Sequence, residues 1–412
     1  MIPRDASGEL IRQARNHAIS ILTGSRQVGK STLMQMIREE LALPSSYYNL
    51  EDPRHLTLFN EGYASFSRQN RTKLVFIDEF QYCKNISSVF KAIYDLEPET
   101  KVFASGSSSL EIQAHLKESL AGRKLERVIF PLSFAEWLRQ FSPAPAEIPH
   151  AGETAQIDAE EEYKKRIEDF LRFGAMPGLC GLDSELEKRE YLAGIYQSYI
   201  AKDIKSFLKD ESVLAFNKMI SFLALNNGGQ LNKDRLATIC GVSSRQIERH
   251  LDILEGTYVV SLVRPLSQNK GKELTKTPKF FFYDQGVLNA IIQDFRPSEL
   301  RQDRGTIHEQ FAYWELRKSI DIRYSIKYWR TADGKEVDFI LEKDREYLPV
   351  EVKSAWPEGK IPPGISNFFA FYPETRSAAI LYDGPCSVRE EGGREIHFVP
   401  LYQACRLQEL LP

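Results

Sequence analysis

The chain has 412 residues, 42% of them hydrophobic and 27% charged, with a formal net charge of −3. That length exceeds a single core, so about two to four domains are expected. The near-neutral balance argues against a globally basic nucleic-acid binder and leaves only a local patch for such a role. Five scattered cysteines (Cys83, Cys180, Cys240, Cys386, Cys405) form no C-x-x-C pair, which argues against a disulfide scaffold or a cysteine-rich zinc site. No apolar run reaches the roughly 18 residues a membrane helix needs, and Met1–Asp5 carries no apolar signal segment. A cytoplasmic protein without a membrane partner is expected. No internal repeat at a fixed period is present.

In chain order, residues 5–17 read as a leading helix ending near His17. The stretch Ala18–Thr32 follows: an apolar strand runs into Gly24, a loop comes next, and Gly29-Lys30-Ser31 opens a helix with Leu33, Met34, Met36 and Ile37 on one side. This is the strand, G-x-x-x-x-G-K-S/T, helix order of a phosphate cradle for a nucleotide such as ATP. Glycines suit the loop because backbone N–H groups must close around phosphate oxygens without an intervening Cβ. The cradle comprises Gly24, Ser25, Arg26, Gln27, Val28, Gly29, Lys30, Ser31 and Thr32. Lys30 is expected to reach the β- and γ-phosphates and the Ser31 hydroxyl to sit on Mg2+. The helix dipole points at the same anion.

Tyr47–Leu50 reads as a second, short strand. Lys73–Glu79 is a buried-type strand ending in two acids, where Asp78 can hold the Mg2+ shell and Glu79 can polarise an attacking water. Lys101–Ser108 is a third strand ending in hydroxyl residues. There a polar group can sense the γ-phosphate; Ser107 is the first choice, with Ser105 and Ser108 as rivals. Strands alternating with helical stretches predict an α/β fold with a parallel sheet covered by helices, and ligand binding at its carboxyl ends.

These segments, with Leu120-Ala-Gly-Arg123 and Pro131-Leu-Ser-Phe-Ala-Glu136, resemble a prokaryotic AAA-type P-loop ATPase family. Its members carry the ATPase first and a C-terminal region of unknown function after it. The resemblance spans nearly the whole chain and implies that Arg123 is an arginine finger or phosphate sensor, in cis or from a neighbouring copy in a homo-oligomer. The competing reading of Arg123 is a surface ion pair within Arg123–Arg127.

Residues 141–162, with three prolines and then Asp158, Glu160, Glu161 and Glu162, read as an exposed joint. A helical run begins near Tyr163, breaks at Gly174–Gly178 (a turn the family shares) and resumes through Tyr191–Lys209. Leu231–Cys240, a turn at Gly241–Ser243 and Ser244–Glu255 form a helix-turn-helix signature, with Leu236, Ile239, Val242, Ile247, Leu251 and Leu254 spaced to pack the pair. Ser243 or Ser244 suits the N-cap. Tyr258–Arg264 and Lys279–Tyr283 read as strands of a wing. DNA is a possible partner through Arg245, Arg249 and His250 on the second helix and Lys270, Lys272, Lys276 and Lys279 on the wing. The alternative is a protein-interaction or structural module.

Gly305–Leu316 reads as an amphipathic helix, Ile326–Arg330 and Glu336–Leu341 as a hairpin, and Leu348–Ser354 as a third strand. Asp338 and Glu351-Val-Lys353 match the D…E-x-K arrangement of restriction-endonuclease-like nucleases, and Glu309 resembles their helix acid. Period-two alternation puts Glu351 and Lys353 on one face, where Asp338 and Glu351 can hold Mg2+ and Lys353 can activate water. The alternative is a fold relic without catalysis.

The expected layout is thus an AAA-like domain over 1–140, a linker over 141–162, a helical and winged-helix domain over 163–285 and a restriction-endonuclease-like domain over 286–412. The leading reading is an Mg2+-dependent ATPase that drives an act on DNA or a protein partner. The alternatives are an ATP-regulated nuclease and a non-enzymatic nucleotide switch that recruits a protein.

Overall fold

The computed structural model describes residues 2–106, 120–141, 147–199, 213–267, 277–357 and 359–411. The first unit comprises α1 (Ala6–Gln13), β1 (Ile19–Thr23), α2 (Lys30–Leu41), β2 (Ser45–Asn49), α3 (Pro53–Asn60), α4 (Tyr63–Gln69), β3 (Leu74–Asp78), α5 (Ile86–Leu96), β4 (Lys101–Ser105) and β5 (Lys124–Val128). Its sheet has the order β2-β3-β4-β1-β5, with every pairing parallel. Strands β1, β3 and β4 are buried throughout, as strands covered on both faces must be. Successive side chains go to opposite sides. Val75 and Ile77 pack with Phe59, Phe66 and Phe90, whereas Leu74 and Phe76 pack with Leu10, Leu33 and Ile37.

α6 (Phe134–Leu138) closes the first unit, and the middle unit comprises α7 (Ile157–Phe173), α8 (Glu185–Tyr199), α9 (Val213–Leu225), α10 (Lys233–Cys240), α11 (Ser244–Gly256), the antiparallel pair β6 (Val260–Val263) and β7 (Lys279–Phe282), and α12 (Gln285–Ile292). The helix-turn-helix forms as the sequence suggests. Gly241 ends α10 at φ 69°, and Ser243 and Gln246 close a reciprocal capping box on α11. Leu236, Ile247, Leu251 and Leu254 share a core with Phe216, Phe280 and Phe282. Ile239, expected in that core, is 41% exposed.

The last unit places α13 (Arg304–Ser319) on one face and α14 (Pro363–Phe371) on the other face of a mixed sheet. Its strands are β8 (Ser325–Arg330), β9 (Glu336–Lys343), β10 (Glu346–Lys353), β11 (Ser377–Tyr382), β12 (Ser387–Glu391) and β13 (Arg394–Pro400), in the order β12-β13-β11-β10-β9-β8. The β10–β11 and β11–β13 pairings are parallel and the others antiparallel.

Three expectations change. The leading helix ends at Gln13 rather than near His17, and the second strand is Ser45–Asn49 rather than Tyr47–Leu50. The joint expected over 141–162 is largely exposed where it is described, with Glu153, Thr154, Gln156 and Ile157 facing outward, but it is anchored at a few points. Ile148 is buried, Tyr163 Oη donates to the Glu147 carbonyl (3.0 Å), and Gln403 Nε2 donates to the Glu153 carbonyl (2.8 Å). The acidic run that reads as repulsive is the start of α7. Asp158 and Glu160 sit in its first turn, where the helix dipole favours them. Glu160 pairs with Lys164 (2.8 Å) and Glu162 with Arg166 (2.6 Å) one turn on. Among the described residues no helix is long and apolar enough to cross a membrane.

Candidate functional site

Three buried parallel strands end side by side at Thr23, Asp78 and Ser105, and the loop leaves from the first. Gly24 has φ 144°, and a Cβ there would lie 2.2 Å from the Ile129 carbonyl oxygen, so only glycine fits. Gly29 is left-handed at φ 87° and forms the N-cap of α2. Lys30 is buried, and its ammonium donates to the Gly24 (2.9 Å) and Ser25 (2.7 Å) carbonyls of its own loop.

Asp78 is buried and held by three donors. Tyr47 Oη reaches Oδ2 (2.7 Å), the Glu79 amide reaches Oδ1 (3.1 Å), and Ser105 Oγ also bonds Oδ1. Burial, then the Asp78 carboxylate, raises the Tyr47 phenol well above its ordinary pKa, so it stays a donor. Ser105, a rival to Ser107 from sequence, is therefore the residue that fixes Asp78; Ser107 and Ser108 lie outside the described residues. Glu79 has a left-handed backbone at φ 55° and its carboxylate accepts from Gln81 Nε2. Such a conformation costs on the order of 1–3 kcal/mol and concentrates at functional sites. Burial raises the Glu79 pKa, against the opposing effects of the Gln81 hydrogen bond and Lys30.

Gln27, Gly29, Lys30, Ser31, Thr32 and Glu79 border a cavity of about 550 Å³. Its other wall is Ile2, Arg4, Leu132, Pro177, Gly178, Cys180 and Tyr191, so the Gly174–Gly178 turn between the helices closes the site. The volume suits a small-molecule ligand. The Ser31 hydroxyl and the Asp78 carboxylate are hard oxygen donors of the kind Mg2+ takes beside phosphates.

Arg123 lies elsewhere. Its carbonyl accepts from the Ile19 amide at the start of β1 (2.9 Å), and β1 and β5 run parallel. The phosphate loop begins at the other end of β1, about 16 Å away for a five-residue strand. The cis sensor reading therefore gives way. Arg123 pairs with Asp95 (2.9 Å) and stacks over Tyr94 (5.7 Å), as in the ion-pair alternative but with a different acid.

On the second helix of the helix-turn-helix, Arg245 and Arg249 are exposed. His250 is not available to phosphates. It is buried against Phe216 (5.3 Å), and burial followed by Arg249 lowers its pKa. Lys270, Lys272 and Lys276 lie outside the described residues.

The expected C-terminal residues gather in one neighbourhood, with a different charge balance. Lys353 Nζ is 2.6 Å from Glu351 Oε2 and 3.8 Å from Asp338 Oδ2, and Asp338 also accepts from the Val352 amide (2.9 Å). Lys279, expected on an exposed wing, is buried here, 4.0 Å from Glu309 and paired with Glu336. Burial and the Asp338 charge push Glu309 and Glu351 up to about 8. A Cβ on Gly364 would lie 2.0 Å from Glu351 Oε1, so α14 seats directly on that carboxylate. Among the described residues, no group of three or more His, Cys, Asp or Glu is placed to hold a metal ion. Asp338, Glu351 and Lys353 thus come together as the D…E-x-K pattern expects, and Lys279 adds a second cation beside Glu309 and Glu336.

Residues 16–138 match the profile of a family described as "AAA domain". They carry the parallel sheet, the phosphate loop and the acidic strand end. Two regions beyond the AAA domain, 164–298 and 304–403, each match a family described as a domain of unknown function. An uncharacterized protein of Haemophilus influenzae is 26% identical over 371 residues, covering 85% of this chain and 86% of its own. One from Methanocaldococcus jannaschii is 25% identical over 363 residues, covering 84% of this chain and 76% of its own. Among solved structures, the Thermotoga maritima RuvB Holliday junction branch migration motor is 15% identical with a TM-score of 0.29, over 66% of this chain and 95% of its own.

Arg4 went unnoticed in the sequence. It is 8% exposed and touches the AAA domain's loop, donating from Nη1 to the Val28 carbonyl (2.8 Å). An arginine near a chain start, in no motif, gives no sequence signal.

Proposed function

We propose that the AAA domain binds ATP with Mg2+ and hydrolyses it. The observation that carries this reading is the convergence of the loop, Asp78 and Glu79 at adjacent strand ends. The loop amides and Lys30 bind the phosphates, Ser31 and Asp78 hold the metal shell, and Glu79 orients and deprotonates the attacking water. Bound Mg2+ neutralises charge on the phosphate oxygens. Ser105 and Tyr47 keep Asp78 oriented. Burial raises the Glu79 pKa, which makes its carboxylate a better proton acceptor than an ordinary one.

The middle and last units then serve as the module through which hydrolysis acts on DNA or a protein partner. Measuring ATP turnover in Mg2+, with and without single- and double-stranded DNA, tests both parts. Glu79→Gln is expected to keep ATP binding while turnover falls at least about a hundredfold. Turnover equal to wild type in that variant would overturn Glu79 as the base. Stimulation by DNA supports a nucleic-acid partner; indifference points to a protein.

A further inference from the structure

Arg4 is buried and the three hydrogen bonds of its guanidinium are all long-range. Nη1 donates to the Val28 carbonyl of the phosphate loop (2.8 Å), Nη2 to the Phe130 carbonyl (2.7 Å), and Nε pairs with Glu136 (3.1 Å). Glu136 is itself 5% exposed and closes the capping box on α6 with Ser133. The next residue in that turn, Phe134, donates its amide to Glu315 Oε2 (3.1 Å), a carboxylate 1% exposed in the middle of α13. Lys318 of the same helix donates to the Leu132 carbonyl (2.8 Å), and the Leu132 amide donates to Ala175 beside the Gly174–Gly178 turn (2.9 Å). The short segment Phe130–Glu136 therefore touches the phosphate loop through one guanidinium and the C-terminal helix through one carboxylate.

We infer that Arg4 is a positioning residue for the phosphate loop, and that the Arg4–Glu136 pair and the Phe134–Glu315 bond couple the loop's nucleotide state to α13. A loop closed on phosphate turns its amides inward and its carbonyls outward. Arg4 takes the Val28 carbonyl and so holds the loop in the shape described above. Buried charged hydrogen bonds tolerate little drift, because an unmatched partner in a dry site is costly. A shift of the loop is thereby felt at Glu136, and through the α6 turn at Glu315. Coupling of this kind is reciprocal: a change at Glu315 alters nucleotide affinity by the factor with which nucleotide alters α13. The inference rests on the reading that the loop binds ATP.

The test titrates a fluorescent ATP analogue with Mg2+ into wild type, Arg4→Lys, Glu315→Gln and Lys30→Ala, and measures KM and kcat beside the unfolding midpoint. Arg4→Lys keeps the charge but loses the fork. It is expected to weaken binding and raise KM about tenfold with kcat within about twofold, and Glu315→Gln about threefold. A merely destabilised protein loses active fraction, so its kcat falls while KM holds. Lys30→Ala is the control: if wild type binds no better than it does, the nucleotide reading fails and the inference with it. If wild type binds in a Lys30-dependent way while both other variants bind within about twofold of it, the inference alone is overturned. Should Arg4→Lys not fold, hydrogen exchange of residues 304–319 in wild type decides. ATP is expected to slow it about threefold in wild type and not in Lys30→Ala; an unchanged rate overturns the coupling.

Discussion

Asp78 is surrounded by donors from three elements, and each fixes a different aspect of it. Tyr47 and Ser105 fix the carboxylate plane, while the Glu79 amide ties it to its neighbour. Ser105→Ala leaves Oδ1 with the amide alone, so ATP turnover is expected to fall about tenfold at a stability loss of only about 1 kcal/mol, read by turnover assay and urea melt. Asp78 and Glu79 were legible because an apolar strand ending in two acids is a local pattern. The residues around them were only partly legible: Ser105 was one of three rivals, and a strand end alone does not say which hydroxyl meets the acid. Lys279 was misread because a lysine in a strand beside other lysines looks exposed, and only the third dimension brings Glu309 and Glu336 to it. The cluster also sets a pH response. Glu309 and Glu351 carry pKa values pushed up to about 8 from an ordinary 4.5, so the folded chain holds protons there that the unfolded chain has shed. That stabilisation is complete below the unfolded value and is lost as pH rises through the folded one. The unfolding midpoint is expected to fall between about pH 5 and pH 8.5, and Glu351→Gln to flatten that slope in thermal melts across the range.

At the scale of elements, the sequence was most readable where a period and a punctuation mark coincide. The phosphate loop, the helix-turn-helix and the hairpin Ser325–Lys343 all have such marks: glycines, a capping serine, an Asp-Gly turn. The acidic run before α7 was not readable, since its charges are unfavourable in a coil and favourable in a helix whose lysine and arginine come one turn later. Arg123 shows a different gap. Its segment is recognisable, but the end of the sheet it occupies follows from the β1–β5 pairing, which no local pattern encodes. The junction of β1 with the loop is the least tolerant element boundary. Gly24→Ala would drive a Cβ into the Ile129 carbonyl at 2.2 Å in a backbone region alanine avoids. It is expected to cost about 2–4 kcal/mol in urea denaturation, with nucleotide binding lost in the same variant.

Across the whole molecule, the units are joined by buried polar contacts as well as by apolar packing. One junction is Phe130–Glu136, between the AAA domain and α13. Another is Lys279, which leaves the middle unit on β7 and enters the carboxylates of the last. Lys279→Met removes the cation and leaves buried acid behind, so a loss of about 3–5 kcal/mol is expected at neutral pH. The loss should grow as pH rises through about 8, where Glu309 gives up its proton, when unfolding is followed by urea at several pH values.

The ammonium of Lys30 gives the phosphate loop a property of its own. Held by two carbonyls of its own loop, it is not an exposed hook awaiting an anion but a charge already provided for. The same two bonds tie the start of the loop to the first turn of α2, so one side chain clasps both ends of the loop. Lys30→Ala is therefore expected to loosen the loop itself, seen as faster hydrogen exchange of residues 24–29.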